Sequence, residues 1–374
     1  MKKACGIVII NCFDTYEHRV ALLKEHFAAR GEEVHVITSD WRHFHKEVRT
    51  KYPEGYEAIH VRPYTKNLSA DRLISHHQFA KDVFARVEQL RPRLLWVLVP
   101  PNSLVKCAAE YKKRNPGTRL VLDLIDMWPE TMPIARFKSV PPLSFWRDLR
   151  DKYISCADAV VTECGLYQSL LKDKCAPEKL HTLYLARHIQ PSIASPNPPE
   201  DKTALCYLGS INNIIDIPCI CRIVRSIEGP VELHIVGDGE KKDELIREAS
   251  EAGAQVIFHG KVYDPQQKQE IFDRCHFGMN IMKDSVFVGL TMKSMDYFSC
   301  GLPIINNIRG DTWNFVETYA LGLNDTGADR IGLQQLREAS CGRSKIREFF
   351  VDTFSYEIFS EKVTRIVESI EEME

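Results

Sequence analysis

Within GLTMKSMDYFSCGLP, residues 289–303, a few side chains have the types and spacing to hold a charged ligand. Thr291 has the chemistry of an N-cap for a helix over 292–300, with Gly301 as the residue that ends it and Pro303 just beyond. The free amides of that first turn, at the positive end of the helix dipole, form an anion site. Gly289 lets the preceding backbone turn tightly, Lys293 adds a full positive charge, and Asp296 projects from the same face three residues later. A carboxylate repels phosphate but accepts two hydrogen bonds from a ribose diol. The pattern therefore pairs phosphate with the helix start and ribose with Asp296. A solvated Lys293–Asp296 ion pair on an ordinary surface helix is the competing explanation.

A second constellation lies in DLIDMWPE, residues 123–130. Asp126, Trp128 and Glu130 put an aromatic face beside two carboxylates, which suits a sugar ring: the ring stacks and its hydroxyls bond to the acids. The alternative is that Trp128–Pro129 packs a loop and Asp126 caps the next segment. In NCFDTYEHR (11–19), Asn11 and Phe13 end the first apolar strand and are expected to line the same region, while Asp14 and Glu17 have the spacing of a capping box.

These residues sit in a repeating frame. GIVIIN (6–11), EVHVITS (33–39), LLWVLVP (94–100), RLVLDLID (119–126) and DAVVTEC (158–164) read as strands, with helical periodicity from Asp14 to Arg30, near 71–90 and across 103–114. ARHIQPSIASPNPPEDKT (186–203) reads as a linker. Beyond it the alternation resumes with ALCYLGS (204–210), VELHIVG (231–237), QVIFHG (255–260), FGMNIM (277–282) and LPIINN (302–307), with helices between them and an amphipathic helix at the end. Alternating strands and helices predict parallel sheets covered on both faces, whose ligands bind outside the carboxyl ends of the strands.

A chain of 374 residues exceeds what one core usually organises, so two domains are expected. The net charge of −2 hides an asymmetry: residues 1–190 carry 30 Lys+Arg against 22 Asp+Glu, and the remainder is acidic. No basic tract interleaved with aromatics points to nucleic acid. The twelve cysteines are scattered without C-x-x-C spacing, which argues for reduced thiols and against a metal site. No apolar run is long enough to span a membrane, and the N-terminus lacks the form of a leader, so a cytoplasmic protein is expected. IARFKSVPPLSFWRDLRDKYI (134–154), with Phe137, Phe145, Trp146, Arg147, Arg150 and Lys152, fits either a peripheral contact with the inner face of an anionic membrane or an ordinary charged helix.

YLGS (207–210), HIVGDGE (234–240), FHGKV (258–262), KSMDYFSCGLPII (293–305) and the final helix occur in an order and spacing that resembles the nucleotide-sugar-binding domain of the GT-B glycosyltransferases, most similar to the retaining enzymes of family 4, the glycosyl transferases group 1. The resemblance implies an α/β chain of two Rossmann-like domains facing across a cleft. These would be an acceptor-binding domain at 1–188, a nucleotide-sugar domain at 189–355 and a helix at 356–374 crossing back to the first. It implies that Gly209 and Ser210 admit the donor pyrophosphate. Lys261, Val262 and Tyr263 would meet the nucleobase through main-chain groups, and Lys293 with the amides of Thr291 and Met292 would meet phosphate. Asp296 stands where the family usually has a ribose-binding glutamate. Lys293 and Asp126 are the expected catalytic residues. The family's second glutamate is here Val288, and its usual basic pair is replaced within INNIIDIP (211–218). The implied activity is retaining transfer of a sugar, from UDP-hexose or another NDP-sugar, to a glycan, lipid-linked or glycoprotein acceptor in bacterial-type polysaccharide or glycoconjugate assembly, with no metal or cofactor. A nucleotide-sugar epimerase and a non-catalytic binding subunit are the rival readings.

Overall fold

The computed structural model describes residues 6–67, 69–132, 141, 143–191, 193–327 and 342–372. The chain divides into two compact units, residues 1–187 with 356–374, and residues 188–355.

In unit 1 the strands are β1 (Ile7–Asn11), β2 (Val34–Ser39), β3 (Trp41–Arg42), β4 (Glu47–Val48), β5 (Tyr56–Ile59), β6 (Leu94–Val99), β7 (Arg119–Leu124), β8 (Ala159–Thr162) and β9 (Leu180–Thr182). The helices are α1 (Glu17–Ala28), α2 (Ala70–Leu90), α3 (Ser103–Arg114), α4 (Leu143–Asp151) and the single turn α5 (Gly165–Gln168). Among the described residues the main sheet is parallel, in the order β5-β2-β1-β6-β7-β8-β9, and β3 and β4 form a small antiparallel hairpin outside it. Every residue of β1 and β6 is buried, as expected of strands covered on both faces. The order reverses between β1 and β6.

Beneath this sheet lies a buried ion pair. Arg19 donates from Nε and Nη2 to both oxygens of Asp123 at 2.8 Å, and from Nη1 to the Leu183 carbonyl at 2.9 Å. Trp96 Nε1 donates to the same carboxylate at 2.9 Å. The final helix, Tyr356–Glu371, closes this core with Phe359, Val363, Ile366 and Ile370. It is tied to α1 by His26 Nδ1 with Ser360 Oγ at 2.8 Å and by Arg30 Nη2 with Thr364 Oγ1 at 2.6 Å.

Unit 2 contains β10 (Thr203–Leu208), β11 (Val231–Val236), β12 (Ala254–Gly260), β13 (Phe277–Asn280), β14 (Ile304–Asn306) and β15 (Gly322–Asn324). Its helices are α6 (Ile217–Ser226), α7 (Lys242–Glu251), α8 (Pro265–Asp273), α9 (Met292–Ser299) and α10 (Asp311–Tyr319), followed by a helix at Arg343–Phe354. The described strands run parallel in the order β12-β11-β10-β13-β14-β15. This is the doubly wound arrangement, and its switch point lies between β10 and β13.

The expected strands and helices are present with ends shifted by at most three residues, the largest shift being the start of α1 at Glu17. The capping box at the start of α1 is not. Asp14 to Tyr16 form a 3-10 turn and no side chain caps α1. Both acids instead reach the hairpin region: Asp14 Oδ1 accepts from the His43 amide at 3.3 Å, and Glu17 pairs with Arg49. Short β5, β9 and β15 and the β3–β4 hairpin carry too few residues for their period to show in the sequence.

Replacing Asp123 by Ala leaves the Arg19 guanidinium buried without its partner. The expected loss is roughly 3–5 kcal/mol of stability, measured by urea unfolding.

Candidate nucleotide site

The carboxyl end of β10 is built by close backbone packing. Gly209 follows the strand with φ +117°, and Gly237, which ends β11, has φ +145°. A Cβ on Gly237 would lie 1.9 Å from the Gly209 carbonyl oxygen, so the first glycine of HIVGDG is required by the turn beside it.

Helix α9 is locked onto this end from two sides. The Tyr297 hydroxyl donates to the Cys206 carbonyl at 3.0 Å and accepts from the Leu208 amide at 2.8 Å, inserting itself into the β10 backbone. Its ring covers Gly278, where any Cβ would overlap it at 2.6 Å. At the helix start, Thr291 caps α9 by accepting from the Ser294 amide at 3.2 Å and donates to Asn280 Oδ1 at 2.8 Å. Asn280 Nδ2 donates to Asn306 Oδ1 at 2.8 Å, and Asn306 Nδ2 to Asn324 Oδ1 at 2.7 Å. These three asparagines end β13, β14 and β15 in one row of the sheet. The Gly289 carbonyl accepts from both the amide and hydroxyl of Thr312 at 2.8 Å, which ties the segment before α9 to α10.

One turn before Tyr297, Lys293 therefore lies over the β10 end. Its Cε is 3.9 Å from the position of a Gly209 Cβ, and its Nζ lies 4.6 Å from the Tyr207 ring centroid and 3.5 Å from its hydroxyl. Tyr207 passes its own proton to the Ser210 carbonyl at 3.0 Å. Among the described residues Lys293 forms no salt bridge, and desolvation lowers its ammonium to about 8. The competing Lys293–Asp296 ion pair is thus not formed. Asp296 pairs with Lys268 of α8, Oδ1 to Nζ at 3.2 Å.

The remaining predicted donor residues spread along the same edge. Ser210 and Met292 are exposed, Lys261 lies 3.9 Å from Asp238, and Tyr263 is exposed in the turn between β12 and α8, next to half-buried Val262. The Asn280–Asn306–Asn324 row and Tyr297 were not recognised from sequence. Their signal was a strand-terminal Asn in FGMN, PIIN and GLN, which has meaning only once the strands are adjacent.

The predicted acceptor residues of unit 1 do gather at the carboxyl ends of β1 and β7, but their roles differ from expectation. Asn11 is fully buried and its amide serves Phe13, donating to the carbonyl at 2.9 Å and accepting from the amide at 3.2 Å. Phe13 is buried among Tyr16, His43, His76 and Trp128. The Trp128 ring, expected to stack on a sugar, is instead packed between Phe13, His76 and Trp146 and under Arg72. Asp126 accepts from Trp128 Nε1 at 2.6 Å and from the Thr131 hydroxyl, so it anchors the WPE turn instead of presenting a base; burial raises its carboxyl above the usual value. Glu130 is held by Arg150 at 2.9 Å and 3.1 Å. The basic-aromatic face is also broken: Phe137 lies outside the described residues, and Trp146 and Arg150 are buried. Sequence reasoning also passed over Glu163, just after β8, which burial pushes up to about 7.

The two doubly wound units of this strand order match the GT-B fold of solved glycosyltransferases. Residues 202–313, which contain that site, match the family model described as glycosyl transferases group 1. No curated protein matches the sequence. Among solved structures, the lipopolysaccharide outer core galactosyltransferase WaaB is 14% identical with a TM-score of 0.71, covering 97% of this chain and 99% of its own. Sucrose-phosphate synthase from Thermosynechococcus elongatus is 12% identical, TM-score 0.68, covering 98% of each chain. HepE of Anabaena, solved with UDP, is 12% identical, TM-score 0.66, covering 97% of this chain and 100% of its own. With identities this low, the superpositions show a shared fold and nothing finer. Among the described residues no helix is long and apolar enough to cross a membrane.

An ammonium with a depressed pKa opposes folding while it is charged in the native state. That penalty is full below about pH 8 and fades as pH rises toward the ordinary lysine value of 10.5. Lys293→Met is expected to raise stability at pH 7 by roughly 1–2 kcal/mol, allowing for partial exposure, with the gain shrinking above pH 8 in thermal unfolding scans.

Proposed function

We propose that the chain is a glycosyltransferase that moves a sugar from UDP, or another nucleoside diphosphate, to a sugar-bearing acceptor with retention of configuration. The observation that carries this reading is the desolvated, carboxylate-free ammonium of Lys293 beside the Gly209 turn and the α9 N-terminus. A diphosphate supplies the missing negative charge. The group 1 match over residues 202–313 and the UDP complex of HepE support the choice of ligand.

In this mechanism the bond from the anomeric carbon to the diphosphate oxygen breaks as the acceptor oxygen bonds to the same face. The acceptor proton passes to the departing phosphate oxygen, so no strong protein base is required. Negative charge grows on the diphosphate, and fixed donors that need no reorganisation stabilise it: Lys293 Nζ and the amides of Met292 and its neighbours. Asp296, steadied by Lys268, accepts from the ribose hydroxyls, and Lys261–Tyr263 border the base. The reading calls on no metal. The acceptor, a glycan on lipid, protein or a free chain, is assigned to unit 1. The transferase acts in the cytoplasm, with unit 1 free to meet a membrane-borne acceptor.

Removing either charged group is expected to cost at least about tenfold in UDP affinity, the worth of one charge-assisted hydrogen bond. Isothermal calorimetry on Lys293→Ala and Asp296→Ala measures this, and unchanged affinity in both variants refutes the assignment. Wild-type affinity should fall as pH rises through about 8, because only the charged lysine attracts the diphosphate. Incubation with a nucleotide-sugar panel separates the activities: nucleotide release marks a transferase, isomerised donor an epimerase, and binding without turnover a non-catalytic subunit.

A further inference from the structure

Unit 1 contains a second charge without a counter-ion. Arg72, in the first turn of α2, is 4% exposed. Its Nη1 donates to the Asn67 carbonyl at 2.6 Å and its Nε faces His76 Nε2 at 3.4 Å, while Nη2 is buried with no hydrogen-bond partner. No salt bridge reaches it among the described residues. The neighbouring Asp71 is paired with Arg62, and Asp126 is held by Trp128 and Thr131. The guanidinium lies 4.4 Å from the Trp128 ring centroid and 5.9 Å from those of Phe13 and Tyr64. Cation–π attraction offsets part of the burial cost but does not satisfy Nη2. The position at the positive end of the α2 dipole adds to that cost.

A second cation has been brought to the same place. Lys46 Nζ donates to Asn67 Oδ1 at 2.7 Å and lies 5.0 Å from the Tyr64 ring centroid, so Lys46 and Arg72 share Asn67 and flank one aromatic ring. Lys46 has no salt bridge among the described residues either, and it adopts a left-handed backbone, φ +57°, that a non-glycine residue holds only at a cost. The other titratable neighbours offer no negative charge. His43, hydrogen-bonded to the Tyr64 hydroxyl at 2.8 Å, is held down to about 4 by burial and by Arg72, and His76 is held well below its usual value for the same reasons. Asp14, which contacts the His43 amide, is directed to Arg42. Burial and the Arg72 charge both lower the Lys46 ammonium, and an anion between two like charges relieves their repulsion.

We propose that Arg72 and Lys46 form a binding site for a phosphate group carried by the acceptor substrate. The cluster lies at the carboxyl ends of β1 and β7, beside the point where the unit 1 strand order reverses, which is where open α/β sheets take ligands. Nη2 supplies a directed donor and Lys46 a more accessible point charge. His43, which packs against Phe13 and Tyr64 of this cluster, lies in the turn between β3 and β4, outside the main sheet. The assignment to the acceptor rests on the glycosyltransferase reading; the anion site itself does not.

The test is titration of the full chain with inorganic phosphate, with glucose 6-phosphate, and with vesicles of phosphatidic acid in phosphatidylcholine against phosphatidylcholine alone. Tryptophan emission reports the contact, because Trp128 stacks under Arg72. The expected result is a response that weakens at least about tenfold in Arg72→Gln and severalfold in Lys46→Ala, and that persists in Lys293→Ala. Response to the soluble phosphates points to a phosphorylated sugar, and response confined to phosphatidic acid vesicles to a lipid headgroup; either supports the site. A wild-type response that ignores both unit 1 substitutions, or no response to any of the probes, overturns it. If Arg72→Gln does not fold, Lys46→Ala, at a half-buried side chain, decides by itself. UDP calorimetry on the same proteins keeps the two readings apart. Normal UDP binding with an Arg72-independent phosphate response removes only this site, whereas an Arg72-dependent response without UDP binding removes only the nucleotide-sugar assignment.

Discussion

The candidate nucleotide site depends on one buried hydroxyl. By bonding at once to the Cys206 carbonyl and the Leu208 amide, Tyr297 makes α9 an extension of the β10 backbone. A helix held only by apolar contacts can slide or rotate by fractions of a turn; two directed hydrogen bonds to a buried strand prevent this. Lys293, one turn earlier, is consequently fixed over Tyr207 and Gly209 without a salt bridge among the described residues. The Asn280–Asn306–Asn324 row performs the same service for the helix start through Thr291. Glycines at 209, 237 and 278 are there because backbone and ring atoms occupy the space a side chain would need.

Unit 1 solves the burial of charge in two opposite ways. Arg19 is matched to Asp123 by a two-point contact, with Trp96 and the Leu183 carbonyl completing its environment. That pair is complete in itself and sits within the core that the last helix closes. Arg72 is buried to a similar extent but forms no salt bridge among the described residues, and the groups packed on it are aromatic rings and imidazoles, with Asp126 acting only from a distance. The difference separates a charge matched within the fold from one buried without a salt bridge. Lys293 in unit 2 belongs with Arg72. Burial opposes the charged form of both cations, a cost that proteins carry most often at functional sites.

Much of the frame was legible in the sequence because it follows from local chemistry. Continuous apolar runs marked the buried parallel strands, Thr291 and Gly301 marked the two ends of α9, and the Pro- and Ser-rich stretch near 190 marked the passage between the units. Local rules failed where a distant partner outbid a near one. Asp14 and Glu17 had the spacing of a capping box, yet the hairpin region offered both of them stronger donors. Trp128 had the company of two acids, yet its own indole nitrogen bound one of them and its ring faces met Phe13, His76 and Arg72.

What the amino-acid order determined by itself was the alternation of strand and helix, the capped helix with Lys293 near its start, and the glycines that let it be approached. Periodicity and capping act over a few residues, so they survive without a fold. Only the tertiary structure decided which charges are satisfied. It gave Asp296 to Lys268 and left Lys293 without a carboxylate, and it gave Glu130 to Arg150 and left Arg72 and Lys46 together. Counter-ions come from segments far apart in the chain, and whether a charge is desolvated depends on everything packed around it.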